Sequence, residues 1–147
     1  MVSRKKMAFE NFEHEADIGV RGTGKSIEES FQEAAKAMFS IEVSIAKVNA
    51  KNKIKIKASA SNIQELLVEW LNKLLAESGI KGMMFSKFRV KIHEKGRKYE
   101  LEGYAAGEKL DVKRHQAREE VKAATYSQLK VEKNKKGQWV SQCIVDV

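Results

Sequence analysis

The chain has 147 residues, of which 42% are apolar and 33% charged, and a formal net charge of +8 at pH 7. That length can bury one sizeable core, so a single domain over 1–147 is expected, and the composition excludes a disordered or membrane-embedded chain. The positive balance favours acidic partners such as RNA, nucleotides or an acidic protein face, although a lysine-rich solubilising surface gives the same total.

Residues 1–8 are expected to form a flexible basic N-terminus; no apolar stretch follows Met1 to Lys6, so a secretory leader is not expected. The single cysteine, Cys143, excludes an intrachain disulfide. Both features fit a reducing, cytoplasmic compartment.

Ile18 to Arg21 alternates as a strand does, and Gly22-Thr23-Gly24 is expected to turn the chain. Ser26 and Glu29 form a capping-box signature ahead of Ile27, Phe31, Ala34, Ala35 and Met38, which recur at helical spacing. Lys53-Ile54-Lys55-Ile56-Lys57 alternates at period two, as a strand with one wet face should. Asn62 and Glu65 repeat the capping pattern before the widest apolar stripe of the chain, Ile63 to Leu75, with Gly79 expected as the C-cap.

Phe88/Val90/Ile92 and Tyr99/Leu101 read as a hairpin turning around Lys95 to Lys98, with His93 beside the turn in a structural role. Asp111 to Glu120 is polar and weakly helical. Val121, Ala123, Thr125, Ser127, Leu129 and Val131 read as one face of a long strand, which places Lys122 on the opposite face with Ala124 and Tyr126, partly desolvated. Asn134 to Gly137 turns the chain into a last strand, Trp139 to Val147. This succession argues for an α+β fold, a two-layer sandwich in which helices cover a mixed β-sheet.

Two acidic residues stand out, Asp17 in His14-Glu15-Ala16-Asp17-Ile18-Gly19 and Asp146 in Cys143-Ile144-Val145-Asp146-Val147. A carboxylate flanked by apolar residues is costly to bury unless it is paired or holds a cation. Together with the terminal carboxylate, the two would form a hard-cation site suited to Ca²⁺, Mg²⁺ or Mn²⁺ rather than zinc, but spacing alone does not show that they meet. Each is also explicable separately as a turn cap or ion-pair partner.

Gly19-Val20-Arg21-Gly22-Thr23-Gly24-Lys25-Ser26 satisfies the phosphate-loop pattern and precedes a helix. Its context opposes that reading. The preceding stretch is polar where a buried parallel strand is needed, and Val20 continues the alternation begun at Ile18. His115, between Arg114 and Arg118, is a candidate for binding phosphate or RNA, against a solvated basic segment. No Ser/His/Asp, Cys/His or zinc-ligand constellation is visible.

Taken together, Phe12 to Arg21 with Gly24-Lys25-Ser26, Gly107 to Asp111, Arg114-His115, Glu120 to Tyr126 and the closing Ile144 to Val147 resemble the archease family, in order and over almost the whole chain. The resemblance implies an archease-like fold and a non-enzymatic activator of the RtcB-type tRNA-splicing ligase. Such a protein promotes guanylylation and multiple turnover of the ligase, broadens its nucleotide use, and meets tRNA indirectly. Carried over by motif, the activation-essential residues are Asp17, Lys122 and Asp146. The metal, calcium by resemblance, would take Asp17, Asp146 and an oxygen of Val147, with His14 and His115 as secondary candidates. Glu15 stands where threonine is common, and Ser127 where histidine often follows the tyrosine. Two other classes remain open: an RNA-binding or chaperone-like module using the basic surface, and a nucleotide-binding enzyme using Lys25 and Ser26.

Overall fold

The computed structural model describes residues 8–14 and 17–147. The expected flexible N-terminus therefore falls, apart from Ala8, outside the described residues, as does Glu15.

The first two strands, β1 (Phe9–His14) and β2 (Asp17–Gly24), form an antiparallel hairpin with Phe9 opposite Gly22 and His14 opposite Asp17. β2 runs through Gly22-Thr23-Gly24, which the sequence marks as a turn. The reason is packing. A Cβ at Gly22 would sit 2.2 Å from both the Ala34 amide nitrogen and the Ser30 carbonyl oxygen, so this glycine lets helix α1 (Ile27–Glu42) lie directly on the strand.

The predicted caps form. Ser26 Oγ accepts the Glu29 N–H at 3.1 Å at the start of α1, and Asn62 Oδ1 accepts the Glu65 N–H at 2.9 Å at the start of α2 (Ile63–Lys81). The second helix passes through Gly79 and is stopped instead by Gly82 in the left-handed region, φ 64°. Within that last turn Ser78 Oγ donates to the Met83 carbonyl, so the polar residue beyond the apolar stripe is satisfied and the helix extends.

Strand β3 (Asn52–Ala60), strand β4 (Met83–Lys95) and strand β5 (Lys98–Lys109) follow, with β4 and β5 joined by the expected hairpin. The long strand expected over Val121 to Val131 is broken into β6 (Ala123–Ala124) and β7 (Lys130–Lys133). Thr125 breaks it: its hydroxyl donates to the Ile144 carbonyl at 2.8 Å and accepts the Ser127 N–H at 3.2 Å, and Gln128 then adopts φ 50°. The buried residues of this region are accordingly Val121, Ala124 and Val131, not one alternating face. A turn at Asn134–Gly137 leads into β8 (Trp139–Asp146).

The α+β class is as expected, but the single mixed sheet is instead two sheets, antiparallel at every pairing among the described residues. One has the order β1-β2-β8-β6, with β7 also on β8; the other has the order β3-β5-β4. β3 and β4, linked through α2, would be parallel neighbours had β5 not inserted between them. Both helices touch both sheets, and one buried cluster joins them around Phe31, Phe39, Trp70, Phe85 and Phe88. Trp70 Nε1–H donates to the Phe31 carbonyl at 3.0 Å, which satisfies the indole while locking α2 to α1. Among the described residues, no helix is long and apolar enough to cross a membrane.

Candidate functional site

The two ends of the chain meet. β2 and β8 pair antiparallel from Gly24 opposite Trp139 to Ile18 opposite Val145, and one further step of this register sets Asp17 opposite Asp146. Asp17 is opposite His14 on β1, and Asp146 is opposite Ala123 on β6, so the two acidic residues lie at the same end of the sheet, each next beyond the last β2–β8 pair. Residues directly opposite in an antiparallel pair share a face, with Cα atoms about 4.5–5.5 Å apart.

Asp146 is exposed and Asp17 partly so, and among the described residues neither side chain has an ion-pair or hydrogen-bond partner. Like charges facing each other across strands repel. Two such carboxylates are oxygen donors of the type a hard cation takes. They fit a metal site in chemistry, although among the described residues no group of three or more His, Cys, Asp or Glu side chains converges. Further ligands would have to be main-chain or terminal oxygens, waters or a partner's groups.

Cross-strand contacts brace the sheet beside these residues. The Phe12 ring lies across Gly19, where a Cβ would come 2.0 Å from it, and the Arg21 guanidinium stacks on the ring at 4.5 Å from its centroid. Arg21 also meets Glu10 at 2.7 Å and Gln142 at 3.0 Å, tying β1, β2 and β8 together.

Lys122 N–H donates to the Asp146 carbonyl at 2.7 Å, which brings the third predicted residue to the same sheet end. Its side chain is exposed rather than partly desolvated, because the strand expected to shelter it is only two residues long. That short strand is pinned from the helix side. Asn72 on α2 accepts the Ala124 N–H at 2.8 Å and donates to the Ala124 carbonyl at 3.2 Å, acting as a surrogate neighbouring strand. Sequence reasoning missed Asn72; its only signal is a polar residue beside Leu71 in the α2 stripe. Val147 is partly buried against the core next to Asp146.

The secondary candidates stand differently. The His14 side chain lies outside the described residues. His115 is fully buried, neither a solvated basic residue nor free to bind phosphate. Its Nδ1 accepts the Asp111 N–H at 3.0 Å, so Nε2 carries the proton and donates to Glu108 at 2.9 Å. Glu108, also buried, accepts the Asn49 N–H at 2.8 Å and pairs with Arg114 at 2.9 Å. The Asn49 N–H, with His115 and Arg114, holds its carboxyl down at about 2. Charged flanks concealed this buried brace. His93 lies beside the β4–β5 turn, 3.2 Å from Glu100.

Two further buried groups are set by desolvation. Glu42, at the end of α1, has its carboxyl raised to about 7 by burial, against the Val121 N–H bond that lowers it. The Cys143 thiol is pushed up to about 12 by burial, which makes it inert.

The phosphate-loop match does not survive. Gly19 to Gly24 is strand, paired on one side with β1 and on the other with β8, so its backbone N–H groups are not gathered into an anion cradle.

The archease protein family (MTH1598/TM1083) profile matches residues 9–147. A protein archease of Pyrococcus furiosus is 41% identical over 139 residues, covering 95% of this chain and 98% of that one. Another, of Sulfurisphaera tokodaii, is 40% identical over the same shares. The solution structure of Methanobacterium thermoautotrophicum protein 1598 superposes with a TM-score of 0.83 at 34% identity, covering 95% of this chain and 99% of that one.

Proposed function

We propose that this chain, which belongs to the archease family, activates an RtcB-type tRNA-splicing ligase through the sheet end that carries Asp17, Asp146 and Lys122. Family membership supports an accessory protein of the tRNA-splicing machinery. The finer reading is that it promotes guanylylation and repeated turnover of the ligase, with the catalytic steps remaining the ligase's own.

The observation that carries this reading is the β2–β8 pairing, which runs to Ile18 opposite Val145 and so brings the next residues, Asp17 and Asp146, to one sheet end, with the Lys122 N–H bonded to the Asp146 carbonyl. A sheet end carrying two carboxylates, at least partly exposed and braced by cross-strand contacts, is suited to enter another protein's site and hold a divalent cation there, calcium being the ion the family resemblance implies. Asp17 and Asp146 would supply side-chain oxygens and Val147 a main-chain or terminal oxygen. Bound there, the cation would supply positive charge toward phosphate groups. Lys122, exposed at the same sheet end, supplies a second positive charge toward a phosphate or carboxylate of the partner.

The test is a multiple-turnover ligation assay with a purified RtcB-type ligase. The wild-type chain should raise turnover, whereas Asp17→Ala and Asp146→Ala should abolish the stimulation while retaining the wild-type circular-dichroism spectrum. Full stimulation by both variants would exclude the assignment.

A further inference from the structure

The second sheet carries a regular cationic face on the side away from the core. Its register aligns Lys53, Ala106 and Lys87 in one row, Lys55, Tyr104 and Arg89 in the next, and Lys57, Glu102 and Lys91 in the third. All six basic side chains are exposed, and among the described residues none of them is in an ion pair. The rows are about 6.7 Å apart along the strands, and the two basic columns about 9.6 Å apart across them, from strand geometry alone.

Lysines on edge strands also discourage sheet-to-sheet aggregation. That explanation serves β3 but not β4, whose free edge is already occupied by α1: the Val90 N–H donates to Gln32 at 3.1 Å and the Ile92 N–H meets Glu28 at 3.5 Å. The three cations of β4 are therefore left without an edge-protecting purpose. At the centre of the face lies one aromatic, Tyr104, with the Lys53 ammonium 4.5 Å from its ring centroid, beside a shallow cavity of about 410 Å³ bordered by three cations, Lys55, Arg89 and Lys91, and one carboxylate, Glu102.

We infer that this face of the β3-β5-β4 sheet is a docking surface for single-stranded RNA, whose phosphates follow the two basic columns while a base stacks on Tyr104 in place of the Lys53 ammonium, which swings out to a phosphate. Parallel columns of cations at a repeat of two residues match a polyanion with regularly spaced charges, and an aromatic between them supplies the sequence-tolerant contact that single strands use. The aromatic between the columns favours a nucleic acid, whose bases stack, over an acidic protein face. The surface belongs to the other sheet from Asp17 and Asp146, so the inference stands apart from the proposed ligase activation.

The test uses the full chain without any ligase. Fluorescence anisotropy with a labelled 12-nucleotide oligouridylate should show binding that weakens linearly with log salt concentration. The variant Lys55→Glu/Arg89→Glu/Lys91→Glu should bind at least about thirtyfold more weakly and with a salt slope shallower by about 2, for three lost phosphate contacts. A control with the same charge change at three other exposed lysines, Lys25→Glu/Lys135→Glu/Lys136→Glu, should lose only a few-fold. Tyr104→Ala should weaken binding about tenfold at unchanged slope. Equal losses in the two triple variants, absence of binding at low salt, or equal affinity for polyglutamate would overturn the inference. Unchanged thermal unfolding of the triple variants checks that binding, not folding, is read.

Discussion

Asn72 and Ala124 form a closed pair of hydrogen bonds in which a helix side chain takes the place of a strand, at 2.8 and 3.2 Å. Lys122, two residues before Ala124, is anchored to Asp146 on the other side of β6, so a helix residue remote from the acidic pair sets the position of the lysine.

Replacing Asn72 by Leu should therefore act on Lys122 without touching it. The Ala124 N–H and carbonyl would both lose partners, for an expected loss of about 2 kcal/mol. Hydrogen exchange at the Ala124 amide should accelerate more than at Val145, and stimulation of the ligase should fall with Asp17 and Asp146 intact. Unchanged exchange at Ala124 would contradict this.

Gly22→Ala should be among the most damaging single-methyl additions. The obstacle is helix backbone at 2.2 Å, which cannot move aside as a flexible side chain does, so α1 must lift from β2. Overpacking of this kind costs about 1–3 kcal/mol, and the backbone contact puts this site at the upper end. Urea denaturation would measure it.

The buried carboxylates give opposite pH dependences. The folded-state pKa of Glu108 is depressed from 4.5 to about 2, so its contribution is fully present above about pH 4.5 and is lost as pH falls toward 2. Glu108→Gln should be less stable than wild type at pH 7, with the gap closing between pH 4.5 and 2. Urea midpoints at pH 7, 4 and 2.5 would show whether it does.

Glu42 is raised from 4.5 to about 7, so the folded state binds the extra proton and stability falls as pH rises between those values. The groups around it are the Val121 N–H, which lowers its pKa, and Glu120, which raises it; Arg118 directs its guanidinium to the Ser40 carbonyl instead. A shift of that size corresponds to on the order of 3 kcal/mol. Glu42→Gln should flatten the pH 5–8 stability profile and be more stable than wild type at pH 8. A profile as steep as the wild type's would show that Glu42 is not the titrating group.

Divalent cations should raise the melting temperature of the wild-type chain and not that of Asp146→Asn. In chelator the same variant should be slightly more stable than wild type, since it removes a repulsion across the β2–β8 pair. Differential scanning fluorimetry with calcium, manganese and EDTA reads both effects.

Helix starts were legible because a cap is a local transaction between a side chain and an amide three residues on, as at Ser26 and Asn62. Strand ends were not. Gly22 looks like a turn until α1 is seen lying on it, and Thr125 looks like a strand residue until its hydroxyl is seen bonded to Ile144. His115 could not be read as buried, because its neighbours Arg114 and Gln116 are polar and the carboxylate that satisfies its ring, Glu108, lies at the end of β5.

By itself, the sequence determined the α+β class, both capped helices, the family, and the identity of Asp17, Asp146 and Lys122 as residues to watch, since these rest on local periodicity and motif order. Only the tertiary structure decided that the acidic residues come to one sheet end, that the phosphate-loop match is a strand, and that six lysines and arginines form ordered columns. Those depend on which strands pair and in what register, which is set by contacts between residues more than a hundred positions apart in the first case and, in the last, by the β3–β5 pairing of residues about fifty positions apart together with the local β4–β5 hairpin.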